Sequence, residues 1–378
     1  MLEGLIFAQY IAPSHEAHFF EHDPLGADFI NYWTASILNS DDRILDIFDY
    51  QKFHQAQTAL LGHEYQLRVW SYPPYFLFYL IPLSWLPYQS AYILWNIVTF
   101  GLFAATLWWH GIRGSSIILL LLAPATFVNI LTGQNGFLSG ALFIGGLLCL
   151  RKYPLIAGML LGFLSYKPHL GILLPVVLLA MRQWKPLISA GITILSLALT
   201  SLLLHGPDIW HLYFTVTTNN NTAILESGTG FLMYMMPTVF MSGRILDFDI
   251  GMIYRLQFIM LVGVMIGTYW GVRHTAIPEL RIALVSVAIF LASPYAHNYD
   301  MTILSAAIIM IISHADSHGF LSGEPVLLGV SWFLPIGVIL LNALGIPISP
   351  LILGMLFIYL LLRIKSSILN EPTWSGTT

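Results

Sequence analysis

Long apolar runs separated by short polar words dominate the chain. A helix crosses a bilayer in about 17–25 apolar residues, and runs near that length lie at 88–109, 115–131, 186–204, 251–272, 325–343 and 347–362. Two longer apolar regions are interrupted. The region 136–181 is broken by Arg151-Lys152 and by Tyr166-Lys167-Pro168-His169, and 280–313 follows the same pattern at Ser293 to Asp300. Splitting at these words leaves pieces of about 12–15 residues, short for a span but tolerable where their ends open onto a water-filled cavity. The expectation is an all-α polytopic membrane protein with about 11 spans.

Basic residues test that count. Alternate loops carry Arg113, then Arg151 and Lys152, then Arg182 and Lys185, then Arg273 and Arg281, and last Arg363 and Lys365. The intervening loops at 132–135, 294–299 and 343–346 carry no Lys or Arg and that at 166–169 carries only Lys167, while His314–Glu324 is the one loop that should be cytoplasmic yet lacks a basic residue. Positive-inside bias assigns the basic set to the cytoplasm. Residues 1–87 are then an extracytoplasmic first loop with juxtamembrane helices. Residues 88–378 form a transmembrane bundle with an outer loop at 205–250. The broken words at Tyr166–His169 and Ser293–Asp300 both fall on the outer side.

Residues 72–87 are apolar but hold four prolines, and read as an interfacial or re-entrant piece. Asp41–Arg68 alternates polar and aromatic residues, as short helices on a membrane surface do.

Composition removes other classes. Of 378 residues 57% are apolar and 9% charged, against roughly 45–50% and 25% in soluble domains. A cytosolic enzyme, a nucleic-acid binder and a disordered chain are excluded. The lone Cys149 can form no intramolecular disulfide, and the first sixteen residues lack the basic n-region of a signal peptide.

Several polar residues carry chemistry. Asp28, flanked by Phe29, Tyr32 and Trp33, is either a helix N-cap or a partly desolvated general base. Lys167 and His169 bracket Pro168; the lysine either snorkels to the interface or faces a functional cavity. His297 and Asp300 share a helical face if the segment is helical. They form a structural pair, or His297 meets an anionic ligand while Asp300 orients it. Gln134-Asn135 offers amides suited to sugar hydroxyls, or is a plain turn. His15, His18 and His22 have helical spacing without the HExxH pattern, and the aspartates from Asp41 to Asp49 suit a solvated surface.

Taken in order, these words resemble glycosyltransferase family 87, polyprenol-phosphate-sugar-dependent membrane enzymes of the GT-C fold. The matching words are Asp28-Phe29 with Tyr32-Trp33, Ile47-Phe48-Asp49-Tyr50, Tyr72-Pro73-Pro74 with Pro82-Leu83 and Leu86-Pro87, and Trp95. They continue with Gly133-Gln134-Asn135, Gly158 with Lys167-Pro168, and Ser293-Pro294-Tyr295-Ala296-His297 with Tyr299-Asp300. The resemblance implies a GT-C-like fold in the cell (inner) membrane, with the active site facing outward. It implies transfer of mannose or another hexose or pentose from a polyprenyl phosphate to a lipid or glycan acceptor. Asp28 would be the catalytic base. Lys167 and His297 would hold the donor phosphate, and Tyr32, Trp33, Gln134, Asn135, His169 and Asp300 would line the substrate site. No cofactor or metal is expected.

Family members carry a helix before the aspartate loop, whereas only 27 residues precede Asp28. Either the recorded start lies downstream or the first helix is incomplete; restoring it would make twelve spans. The rival readings are a secondary transporter and a lipid-linked-sugar flippase. Clustering of the polar words on one face, without matching halves, argues against a transporter.

Overall fold

The computed structural model describes residues 26–62 and 68–370, so His15, His18 and His22 lie outside the described residues. Among the described residues every regular element is helical. Six helices are long and apolar enough to cross a membrane: Tyr88–Trp109, Trp184–His205, Ile250–His274, Asn298–His318, Glu324–Ala343 and Ser349–Ser367. The other five expected spans fall short. Gly136–Cys149, Pro154–Tyr166 and Pro168–Ala180 are shorter apolar helices, and Pro278–Ala292 has 15 residues. A 14-residue helix measures about 21 Å at 1.5 Å per residue, below the roughly 30 Å of bilayer hydrocarbon.

The expected span at 115–131 is two helices, because Pro124 lacks an N–H and drives Ala123 out of the helical region; Ala123 has ψ 135°. The helices used below are α1 (Phe29–Ser40), α2 (Tyr50–Leu61), α3 (Tyr88–Trp109), α4 (Ser115–Leu121), α5 (Pro124–Thr132), α6 (Gly136–Cys149) and α7 (Pro154–Phe163). They continue with α8 (Leu174–Ala180), α9 (Trp184–His205), α10 (Ile250–His274), α11 (Pro278–Ala292), α12 (Thr302–His318), α13 (Glu324–Ala343) and α14 (Ser349–Asn370). Residues 74–85 form three short helical turns, and 207–245 a series of short helices.

Packing follows small residues. Gly158 and Gly162 of α7 lie against α9 so closely that a Cβ at Gly158 would stand 2.4 Å from the Pro186 carbonyl oxygen. Such small-xxx-small faces bring membrane helices together through dispersion contacts rather than hydrophobic exclusion. The outer face of α9 is apolar and exposed at Leu195, Leu199 and Leu203, the pattern of a helix bathed in lipid. By contrast α11 and the start of α12 are almost wholly buried.

The acidic stretch after α1 is occupied locally. Asp46 pairs with Arg43 at 2.9 Å, and Asp49 caps α2 by accepting from the backbone of Gln51 and Lys52 at 3.1 Å.

Candidate functional site

The chain reaches Asp28 along the end of α5. Gly26 N–H donates to the Leu131 carbonyl (3.1 Å) and Asp28 N–H to that of Thr132 (3.0 Å). Gly133 makes this approach feasible: it sits at φ +68°, and a Cβ there would lie 2.6 Å from Phe29 Cβ. The polar word Gln134-Asn135 is thereby set directly against Asp28.

Asp28 occupies the N-cap position of α1, yet its side chain makes no capping bond. Instead Gln134 Nε2 donates to Asp28 Oδ2 at 2.9 Å, and Arg68 Nε lies 3.3 Å from Oδ1. The carboxyl side chain is 22% exposed. Its two oxygens are thus oriented from two directions while one edge stays open.

Behind it runs a hydrogen-bonded chain. Tyr32 OH donates to Gln134 Oε1 at 2.6 Å, and the Tyr32 and Tyr72 oxygens are 2.8 Å apart. A phenol has one proton to give, so Tyr72 donates to Tyr32. Burial pushes both phenols above their ordinary range, which keeps them protonated donors rather than bases. Trp95 Nε1 donates to the Gln134 carbonyl at 3.3 Å, fixing the word from outside. Asn135 is fully buried beside Tyr72, but neither atom of its amide makes a hydrogen bond of normal geometry. A buried polar group in that state calls for a partner.

The second half of the site comes from the two other polar words. Lys167 Nζ lies 2.5 Å from Asp300 Oδ1, and both residues are buried. His169 Nε2 stands 3.8 Å from Asp300 Oδ2. The ammonium also sits 4.6 Å from the centroid of the Tyr299 ring, an attractive cation–π placement. The His297 ring stacks on Tyr299 at 4.9 Å with planes 7° apart.

Asp300 is therefore the partner of Lys167, and of the two readings of His297 and Asp300 the structural pair does not form. The i,i+3 argument needs an α-helix through both residues. Here Asn298–Met301 is a 3-10 turn with His297 outside it, extended at φ −114° and ψ 161°. Burial pushes the His297 imidazole down to about 3. At neutral pH it is then a hydrogen-bonding group and not the cation that the sequence suggested.

That depression has a consequence for stability. A histidine whose folded pKa lies below its unfolded 6.5 takes up a proton first in the unfolded chain. Stability should fall as pH drops from 6.5 toward about 3. In thermal unfolding of the detergent-solubilised protein, His297→Gln should flatten that slope relative to the parent. An unchanged slope would show that this imidazole is protonated freely in the fold.

The two halves meet at the Gly136 backbone. Asn129 Nδ2 donates to the Tyr299 carbonyl (2.6 Å), Gly136 N–H to Asn129 Oδ1 (2.9 Å), and Thr302 Oγ1 to the Gly136 carbonyl (2.8 Å). A Cβ at Gly136 would stand 2.1 Å from the Tyr299 oxygen. The Tyr72 and Tyr299 phenols lie within electrostatic range of both Asp28 and Asp300. Asp28, Tyr32, Gln134, Asn135, Lys167, His169, His297 and Asp300 thus form one cluster.

Trp33 is not part of it. Its indole N–H donates to the Leu86 carbonyl at 3.0 Å and its ring meets Tyr88 edge-on, which pins α1 to the 74–87 segment. Arg68, Tyr72 and Tyr299 enter the cluster without having been singled out as site residues. Tyr72 and Tyr299 stand inside recognised words, but Arg68 has no sequence signal beyond being basic in an aromatic-rich loop.

A family model described as Glycosyltransferase family 87 matches residues 70–294, more than half of the chain. No curated protein and no solved structure matches. The matched stretch contains Gln134, Asn135, Lys167 and His169 and ends short of His297; Asp28 precedes it.

Proposed function

The chain belongs to glycosyltransferase family 87, and from that premise we propose that it transfers a sugar from a polyprenyl phosphate to an acceptor hydroxyl at the Asp28 cluster. The observation carrying this reading is the state of Asp28. A carboxylate at an N-cap that declines to cap, is oriented by Gln134 and keeps an open edge is arranged to accept a proton. Gln134 also ties it to the family-matched part of the chain.

The chemistry is one displacement. Asp28 takes the proton of the acceptor hydroxyl as its oxygen bonds to the anomeric carbon. The bond from that carbon to the phosphate oxygen breaks, and the electron pair leaves with polyprenyl phosphate, now a monoester with added negative charge. A single displacement inverts the anomeric configuration. Charge on the leaving phosphate is met by preorganised groups: the Arg68 guanidinium, the Lys167 ammonium, and the neutral imidazoles His169 and His297 as donors. Arg68 is suited to a double part, since its fork can hold Asp28 by one edge and offer N–H groups from another. Tyr32, Asn135 and Asp300 line the sugar's side, and the acceptor is a lipid or glycan reached from the extracytoplasmic face.

The test incubates purified protein and acceptor with a panel of polyprenyl-phosphate sugars (mannose, glucose and arabinose) and follows release of polyprenyl phosphate. Release with at least one donor is expected. Movement of lipid-linked sugar across vesicles without any release would replace the transferase reading with a flippase.

A further inference from the structure

Three elements that supply the catalytic cluster have their other ends in common. Helix α6 begins after Gln134-Asn135 and is followed by Arg151; the piece from Lys167 through α8 is followed by Arg182; and α11, which precedes the His297 word, starts beside Arg281. Arg273, in the last turn of α10, joins them. These four arginines line one cavity of about 430 Å³ together with Ala180 and Gln183. Being roughly 21 Å from the cluster along a 14-residue helix, the cavity lies at the opposite end of the bundle, the end that basic-loop bias assigns to the cytoplasm.

Among the described residues no carboxylate compensates its charge. No acidic side chain lines it, and among the described residues none of the four arginines makes an ion pair. Among the described residues Arg273 and Arg281 donate to the carbonyls of Ala180 and Thr275, and the buried Arg281 Nε has no hydrogen-bond partner there. Four like charges held together repel one another unless an anion sits among them. Forked guanidiniums suit phosphate oxygens in particular.

The surroundings indicate how a phosphate would arrive. A second cavity of about 480 Å³ shares Arg151, Arg182 and Gln183 and extends to Pro154 and Trp184. Trp184 of its lining, and Leu155, Ile156 and Ile188 in the first turns of α7 and α9 that follow Pro154 and Trp184, are all at least half exposed, an apolar flank for acyl chains. Helices α6 and α11, of 14 and 15 residues, are shorter than the hydrocarbon is thick, and short spans draw the bilayer and its headgroups inward.

We propose that the four-arginine cavity binds the phosphate of an anionic phosphate ester, presented by a phospholipid headgroup of the leaflet opposite the catalytic cluster. The proposal is independent of the transferase reading.

The test uses the full chain in neutral detergent. Native mass spectrometry compares retention of phosphatidylglycerol and phosphatidylcholine by the parent, by Arg151→Gln/Arg273→Gln, by Arg151→Lys/Arg273→Lys, and by the distant control Arg43→Gln. Preferential retention of phosphatidylglycerol should weaken roughly fivefold per arginine neutralised, survive largely in the lysine pair, and be untouched by Arg43→Gln. A parallel arm titrates inorganic phosphate. Competition with phosphatidylglycerol by phosphate, abolished in the glutamine pair, would keep the site and make its source soluble. Equal phosphatidylglycerol retention by the parent and the glutamine pair would overturn the proposal.

Discussion

Asp28→Asn should lower sugar transfer by about 10²–10⁴-fold, the usual contribution of a general base, with the fold left intact. The variant isolates proton acceptance from every other role of the side chain. Asparagine keeps the size and can accept from Gln134 Nε2, now at 2.9 Å from the carboxylate. Helix α1 loses no cap, because the aspartate side chain does not serve as one. The contact with Arg68 spans two partly exposed side chains, and such pairs contribute only about 0–1 kcal/mol. Thermal unfolding should therefore shift little while release of polyprenyl phosphate collapses. Near-parental transfer by a folded Asp28→Asn protein would remove Asp28 from the mechanism and leave it a peg for Gln134 and Arg68.

How far the chain could be read in advance depended on the range of the interaction concerned. Tyr88–Trp109 and Trp184–His205 are bounded within two residues of their apolar runs, because proline and polar residues punctuate both ends locally. The breaks at Lys167-Pro168 and Ser293 to His297 were likewise visible, since a charged or polar word in an apolar run is costly without a purpose. The break at Pro124 was not, because hydropathy averages over a residue that is apolar yet cannot continue a helix. Lys167 and Asp300 are 133 positions apart, and no periodicity connects such a pair. His297 and Asp300 do not share a face for a related reason: spacing of three brings residues together only on an α-helix, and Asn298–Met301 is a tighter turn with His297 outside it. Arg68 joins Asp28 from 40 positions away, beyond α1 and α2, where composition carries no register.

The other large effect is expected from the Lys167–Asp300 pair, and it separates structure from chemistry. Lys167→Met should destabilise the protein by about 3–5 kcal/mol, the cost of stranding a buried charge when its partner is removed. Asp300 is 0% exposed, and its remaining neighbour His169 is 3.8 Å away. Asp300→Asn should cost less, because the ammonium keeps its place over the Tyr299 ring. Replacing both partners with apolar residues of similar volume, as in Lys167→Met/Asp300→Leu, should recover most of the stability, since buried ion pairs exchange with hydrophobic pairs at little net cost. The double variant should nonetheless transfer sugar at least a hundredfold more slowly, because no ammonium remains to meet the leaving phosphate. The measurement pairs thermal unfolding with release of polyprenyl phosphate for all three variants. A double variant that is both stable and active would make the pair purely structural and move phosphate binding to Arg68 and the two imidazoles. A stable but inactive one places the Lys167 charge in the reaction, beyond what loss of folding can explain.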